Sequence, residues 1–268
     1  MRGSAAFRLS VASGGVLGGW VRDPDARDYI RRVAAADGQS LEPLVQRAID
    51  AFVRGCKTDG IWTAIKASCI LAGARTLSGA LVPLVGTAPT NNNFVSGDYD
   101  RKTGLVGDAS TKYLNSGRNN NADGQNDRHA AVLANVPDNG FRYLIGARTP
   151  GTDAGSTQLM QNAYSSCVNS VDAGDNPGAA MPTGALTFKG ISRSSSSTYT
   201  SRVNGTDYTI TRASTTPINS NYGIFTRLSD VVLLSNGRIA FYSVGQALSL
   251  SQLDARVTTL INAIGAAL

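Results

Sequence analysis

A chain of 268 residues with 42% hydrophobic but only 16% charged side chains holds enough apolar material for a sizeable core. Its 29 glycines and many Ser, Thr and Asn suit strands and turns and argue against a helical bundle, which would be rich in Glu, Lys and Leu. The net charge of +6 sits forward, since residues 1–75 carry 11 Lys/Arg against 7 acids and the remainder 14 against 12. With no aromatic residues interleaved among those arginines, this reads as a solvated helix face and not as a nucleic-acid footprint.

Residues 1–22 predict an extended arm, with Phe7, Leu9 and Val11 alternating before a glycine-rich stretch. A helical block is expected over 23–75. Asp23 followed by Pro24 marks an N-cap and first helical position, Ala26, Tyr29, Ile30, Val33 and Ala34 share one face, and Gly38 ends the helix. Ser40 is expected to cap a second helix that buries Leu41, Leu44, Val45, Ala48, Ile49, Phe52 and Val53 and stops at Gly55. Asp59 is expected to cap a third, carrying Ile61, Ile65, Cys69 and Trp62 toward Gly73.

From about residue 76 the helical period gives way to short apolar runs between Gly, Asn, Asp, Ser and Pro clusters, and a β-sandwich is expected over 76–248. Asn204-Gly205 and Asn236-Gly237 predict hairpins, because both residues tolerate positive φ. Polar segments at 115–128, 149–158 and 193–198 read as exposed loops. A closing helix over 249–268 starts at a Ser249/Gln252 capping box and should bury Leu253, Val257, Leu260, Ile261 and Ile264.

Chemistry is tested by subtraction. No apolar run reaches the ~18 residues of a membrane span, and the stretch after Arg2 and Arg8 is too broken by Ser and Gly for a signal peptide. Cys56, Cys69 and Cys167 are odd in number and without metal spacing, so neither a disulfide framework nor a cofactor or metal is expected, and synthesis in a reducing cytosol is. His129, the single histidine, leads into an apolar strand and reads as structural. The one glutamate, Glu42, lies in the front block, so no Glu/Asp/Glu row can form on a strand, and Asp98/Asp100 read as solvated loop carboxylates. Asn119-x-Asn121-x-Asp123-Gly124 mimics half an EF-hand loop, but its twelfth position is Ala130 in place of a bidentate acid. The subtraction leaves no catalytic residues and a chain expected not to be an enzyme.

The stretch Gly237-Arg238-Ile239-Ala240-Phe241-Tyr242-Ser243, followed by Gln246-Ala247-Leu248-Ser249 and Leu253, resembles the closing strand and helix start of laminin-G/concanavalin-A-like domains. Val203-Asn204-Gly205 is similar to their earlier hairpin, and Gly104 to Leu114 more loosely to their opening strand. Asp37–Glu42, Gly55–Trp62 and Ala64–Cys69 resemble a helical block that precedes such domains in tailed-phage structural proteins, and Leu77–Leu84 and Tyr99–Leu105 its continuation. The resemblance implies a mainly β protein with an antiparallel jelly-roll sandwich, an N-terminal helical block and a C-terminal helix. It further implies a virion-surface protein of fibre or receptor-binding type, made in the host cytoplasm. Other virion proteins would be bound through residues 1–75, a host surface glycan or partner through the sandwich, and further copies by oligomerisation. Capsid decoration or a fibre base is the alternative, and a polysaccharide depolymerase a remoter one. Glycan sites in such folds combine an exposed aromatic ring with loop Asn and Asp, which makes Tyr164, Tyr199 and Tyr222 the candidate carbohydrate-binding residues, with core packing the more common role for each such ring.

Overall fold

The computed structural model describes residues 21–163, 165–169, 180–228 and 231–268. Two helices come first, α1 (Pro24–Asp37) and α2 (Pro43–Thr58). After a 3₁₀ turn at Trp62–Ala64 follow β1 (Ile65–Ile70), the short α3 (Leu77–Ala80), β2 (Thr90–Asn92), β3 (Tyr99–Asp100) and β4 (Gly104–Val106). The middle of the chain supplies β5 (Tyr113–Asn119), β6 (Arg128–Asn135), β7 (Tyr143–Thr149), β8 (Thr152–Met160) and β9 (Ser165–Asn169). Then come β10 (Leu186–Arg193), β11 (Thr198–Val203), β12 (Thr206–Thr211), β13 (Asn221–Ile224), β14 (Arg227–Leu228), β15 (Arg238–Gly245) and α4 (Leu250–Ala267).

The protein is mainly β, a sandwich of two sheets with a C-terminal helix. One sheet runs β12-β11-β10-β6-β15-β4-β3, with β1 also on β15; the other runs β2-β5-β13-β7-β8-β9, with β14 on β7. The strand pairs are antiparallel except β14 with β7. The first sheet is covered on both faces. Its outer face carries Ala131, Leu133, Phe188, Ala240 and Phe241 under α1, α2 and α4, and its inner face Ala130, Val132, Ile191, Tyr199, Tyr242 and Val244 against the second sheet. Double burial explains why β6 and β15 read as nearly unbroken apolar runs. A register shift between Ile239 and Phe241 sets both Ala240 and Phe241 toward the helices.

Several elements form as their residues predict. The Asp23 carboxylate accepts from the Asp25 and Ala26 amides at 2.9 and 3.3 Å, and Gly38 closes α1 at φ 67°. Asn204 and Gly205, at φ 49° and 77°, turn β11 into β12. On α4, Leu253, Val257, Leu260, Ile261 and Ile264 are all buried with α2 and the sheet, and the Ser249 hydroxyl accepts from the Gln252 amide at 3.4 Å.

Others differ. The second helix starts at Pro43 after Glu42, not at Ser40, since proline's fixed φ suits the first helical position. It also runs through Gly55 to Thr58; Gly55 is small because the Arg256 guanidinium lies across it, 2.8 Å from where a Cβ would stand. The third helix does not form, so the helical block expected over 23–75 contains β1. Asp59-Gly60-Ile61 ends α2 instead of starting a helix: Gly60 takes φ 73°, its amide donates to the Lys57 carbonyl, and the Ile61 amide donates back to Cys56. That is a Schellman closure. Ile61, Ile65 and Cys69, four apart, fit a strand's period as well as a helix's, and pairing with β15 decides for the strand.

No hairpin forms at Asn236-Gly237. Residues 231–237 carry the chain from β14 in one sheet to β15 in the other. Of the segments expected as loops, 115–119 and 152–158 are strand, in β5 and β8, whereas 120–127 is an irregular loop and 194–197 an exposed turn. Of the arm expected over 1–22, only Val21 and Arg22 are among the described residues. No helix among those residues is long and apolar enough to cross a membrane.

Candidate binding site

The Schellman closure of α2 delivers the chain to Trp62 at a fixed place. Ile61 is buried, so the next side chain turns outward, and the 3₁₀ turn then leads into β1, whose first residue Ile65 is buried again. Trp62 is half-buried on the edge of the helix-side core. Open clefts flank it. One of about 370 Å³ is lined by Asp25, Asp28, Arg32, Trp62, Lys66 and Val85 among others, and one of about 310 Å³ by Lys57, Gly60, Trp62 and Thr63.

The charges around the ring are tied down. The Lys57 ammonium sits 5.7 Å from the Trp62 ring centroid, bonded to the Asp23 carboxylate at 2.8 Å and to Asp25 at 2.6 Å. For Asp23, burial raises the carboxyl, but the Lys57 hydrogen bond and two backbone amides outweigh it and hold the group below its usual range. Arg32 bonds Asp28 at 2.9 Å and the Pro83 carbonyl at 2.7 Å. A tryptophan ring with carboxylates, a guanidinium and an ammonium in one cleft, and an ammonium and a hydroxyl in the other, can stack the apolar face of a sugar ring while hydrogen-bonding its hydroxyls.

The expected carbohydrate residues do not lie here, and two of them are corrected. Tyr199 is 2% exposed in the inter-sheet core, with the Arg193 guanidinium 5.1 Å from its ring. Tyr222 is 1% exposed and its hydroxyl donates to Asn120 Oδ1 at 2.8 Å. Neither ring offers a face to a ligand. Tyr164 lies outside the described residues. Trp62 was hidden by the expectation of a third helix, which turned it inward; Gly60 as a C-terminal helix stop is the signal that finds it.

The other singled-out residues have structural roles. His129 is fully buried. Its Nδ1 faces the Gln246 carbonyl at 2.6 Å and so must carry the proton, which leaves Nε2 to accept from the Ser243 hydroxyl at 2.7 Å. Burial pushes its pKa down to about 4. Asp98 binds Lys112 at 2.6 Å, while Asp100 folds back onto the Lys102 and Thr103 amides. In the EF-hand-like loop, Asp123 binds Arg118 at 2.6 Å and Asn119 accepts from the Asn121 amide, so these groups are spent within the loop. Glu42 clamps the helices to the sheet through Arg101 at 2.7 Å and Arg75 at 3.1 Å. Cys56 and Cys69 are free and buried. Among the described residues no three His, Cys, Asp or Glu side chains gather as a metal site would require.

No family model matches the chain, and no curated protein matches it. Solved structures do. A Trypanosoma rangeli sialidase mutant with trans-sialidase activity aligns at TM-score 0.47 and 11% identity over 82% of this chain and 40% of its own. The botulinum neurotoxin serotype D binding domain aligns at 0.46 and 9% over 73% and 51%. Domain 4 of an extracellular arabinanase from Geobacillus stearothermophilus, solved with arabinotriose, aligns at 0.39 and 14% over 64% and 82%. The chain thus spans about two-fifths of the sialidase's length. The sialidases among these neighbours overturn the sequence-based expectation that the chain is not an enzyme, and that expectation is withdrawn. The subtraction behind it weighed only triads, metal sites and paired acids, and did not exhaust the chemistry of nine tyrosines and many aspartates. Likenesses with TM-scores below 0.5 argue for no particular reaction in its place.

Proposed function

We propose that the chain is a phage virion-surface protein, of tail-fibre or receptor-binding type, a lectin-like sandwich that attaches to a host glycan at the Trp62 clefts, where its helical front meets the first sheet. The observation that carries the glycan reading is the half-buried Trp62 ring, which lines two open clefts and has fixed donors and acceptors around it. The jelly-roll form of the sandwich, of concanavalin-A/laminin-G type, belongs to the same proposal. Its support is the resemblance of residues 237–253, which build the central strand β15 and the start of α4. The rest of residues 1–75, away from the Trp62 clefts, attaches the protein to other virion components. Support for that comes from their resemblance to a phage helical block and from the forward basic surplus.

The test is titration of host envelope polysaccharide into the protein by calorimetry, beside Trp62→Ala. Binding by the wild type and a loss of at least ~10-fold in the variant, about 1.4 kcal/mol, with an unchanged thermal midpoint, is the expected result. Equal binding by both proteins refutes the site, and no binding by either refutes the glycan reading. Gold-labelled antibody on purified particles tests the virion assignment separately; particles that stay unlabelled refute it.

A further inference from the structure

Among the described residues, strand β12 ends the first sheet and is hydrogen-bonded only to β11. The two-residue turn at Asn204-Gly205 fixes which groups point where. Val203 and Thr206 flank the turn as a bonded pair, so the bonded pairs recur at Ser201/Tyr208 and Tyr199/Ile210. The amides and carbonyls of Asp207, Thr209 and Thr211 therefore point away from β11, along the open edge. Of the usual protections of such an edge it has one charge, Asp207, itself paired with Arg202 at 2.7 Å, and it has no lysine, no proline and no register shift against β11. Its side chains alternate regularly. Thr206, Asp207, Thr209 and Thr211 are exposed, while Tyr208 and Ile210 are half-buried against the inter-sheet core.

We infer that β12 is a docking edge for a second copy of this chain, the two strands pairing antiparallel about Thr209. In that register Asp207 faces Thr211 of the second copy, Thr209 faces Thr209, and Thr211 faces Asp207. All three are outward-pointing positions on both strands, and together they exchange on the order of six backbone hydrogen bonds. Between them Tyr208 meets Ile210 of the second copy on the sandwich side, an aromatic and β-branched pairing that stabilises antiparallel strands. No like charges are opposed. Centring the pair on Asp207 would set that carboxylate against itself, and centring it on Thr211 would leave Asp207 beyond the paired stretch, so charge and hydrogen bonding select one register. The contact is self-complementary and closes as a two-fold dimer, which joins the first sheets of two copies into one.

The experiment is sedimentation equilibrium of the full chain at tens of micromolar, with Thr209→Lys and Thr209→Asp alone and mixed. Thr209 is exposed, so both variants keep the fold, which thermal unfolding checks. The wild type should run at twice 27.9 kDa. Each variant alone should run as a monomer, because like charges then meet on the two-fold axis, and the equimolar mixture should return to the dimer mass. A monomeric wild type, variants that remain dimers, or a mixture that stays monomeric would each overturn the inference.

Discussion

The two faces of the first sheet are filled by different chemistry. Toward the helices the core is aliphatic and aromatic, with Phe52 meeting Phe241 at 5.8 Å and α4 laying Val257, Leu260 and Ile264 against it. Toward the second sheet the strands also bury three cations: Arg128 and Arg193 at 0% exposure and Lys189 at 1%. Helices satisfy their own backbone and need only apolar cover, whereas loops at the ends of a sandwich leave carbonyls pointing inward. The cations answer them. Arg128 donates to the carbonyls of Asn120, Asp123 and Gly124, Arg193 to those of Ser195, Thr198 and Arg212, and Lys189 to Met160 and Asn162. Burial alone brings the Lys189 ammonium down to about 7.

The contrast can be broken from either side. Phe241→Ala should cost most, roughly 3–5 kcal/mol, since it opens a cavity under three helices; chemical denaturation measures it. Arg128→Met should cost about 2–4 kcal/mol although it removes a buried charge, because several carbonyls lose their donor. A neutral Arg128→Met would show that packing alone sets both cores.

The His129–Ser243 pair gives a pH test of the helix-side face. The folded pKa, about 4, lies below the ordinary 6.5, so between those values the unfolded chain binds the proton and the folded one does not. Stability should therefore be constant with respect to this group above pH 6.5. It should fall by on the order of 3 kcal/mol as pH drops to 4, a slope that His129→Gln should flatten. The smallest effect sharpens the comparison: Ser249→Ala removes one cap from α4 and should cost about 1 kcal/mol, well below Phe241→Ala in the same chemical denaturation series.

Local signals carried the elements that local physics decides. Asp23-Pro24 and Gly38 bound α1, Asn204-Gly205 makes a hairpin because, unlike those of Asn236-Gly237, its flanks lie in the same sheet, and the apolar face of α4 is legible residue by residue. What long-range pairing decides was not legible. Ile61, Ile65 and Cys69 are ambiguous until β15 is present. Asn236-Gly237 looks like a turn until Val232 and Leu234 are seen bridging to the second sheet. The site failed for a related reason. A tyrosine in a polar strand gives no sign of which face it occupies, so Tyr199 and Tyr222 could be read as core or as sugar-binding rings, whereas Trp62 was assigned to a helix that Gly60 forbids.

The pairing of β1 with β15 also has a consequence in time. Cys69 meets Tyr242 across 173 residues, and Ile70 pairs with Phe241. At about 5–20 residues per second on a ribosome, β1 waits on the order of ten to thirty seconds for its partner. During that interval the apolar faces of α1 and α2 have neither the sheet nor α4 to cover them, and loop closure over such a separation is slow once it can begin. Nascent chains should therefore be most vulnerable to chaperone capture and proteolysis through the helical front, and should gain protease resistance abruptly once residue 245 has emerged.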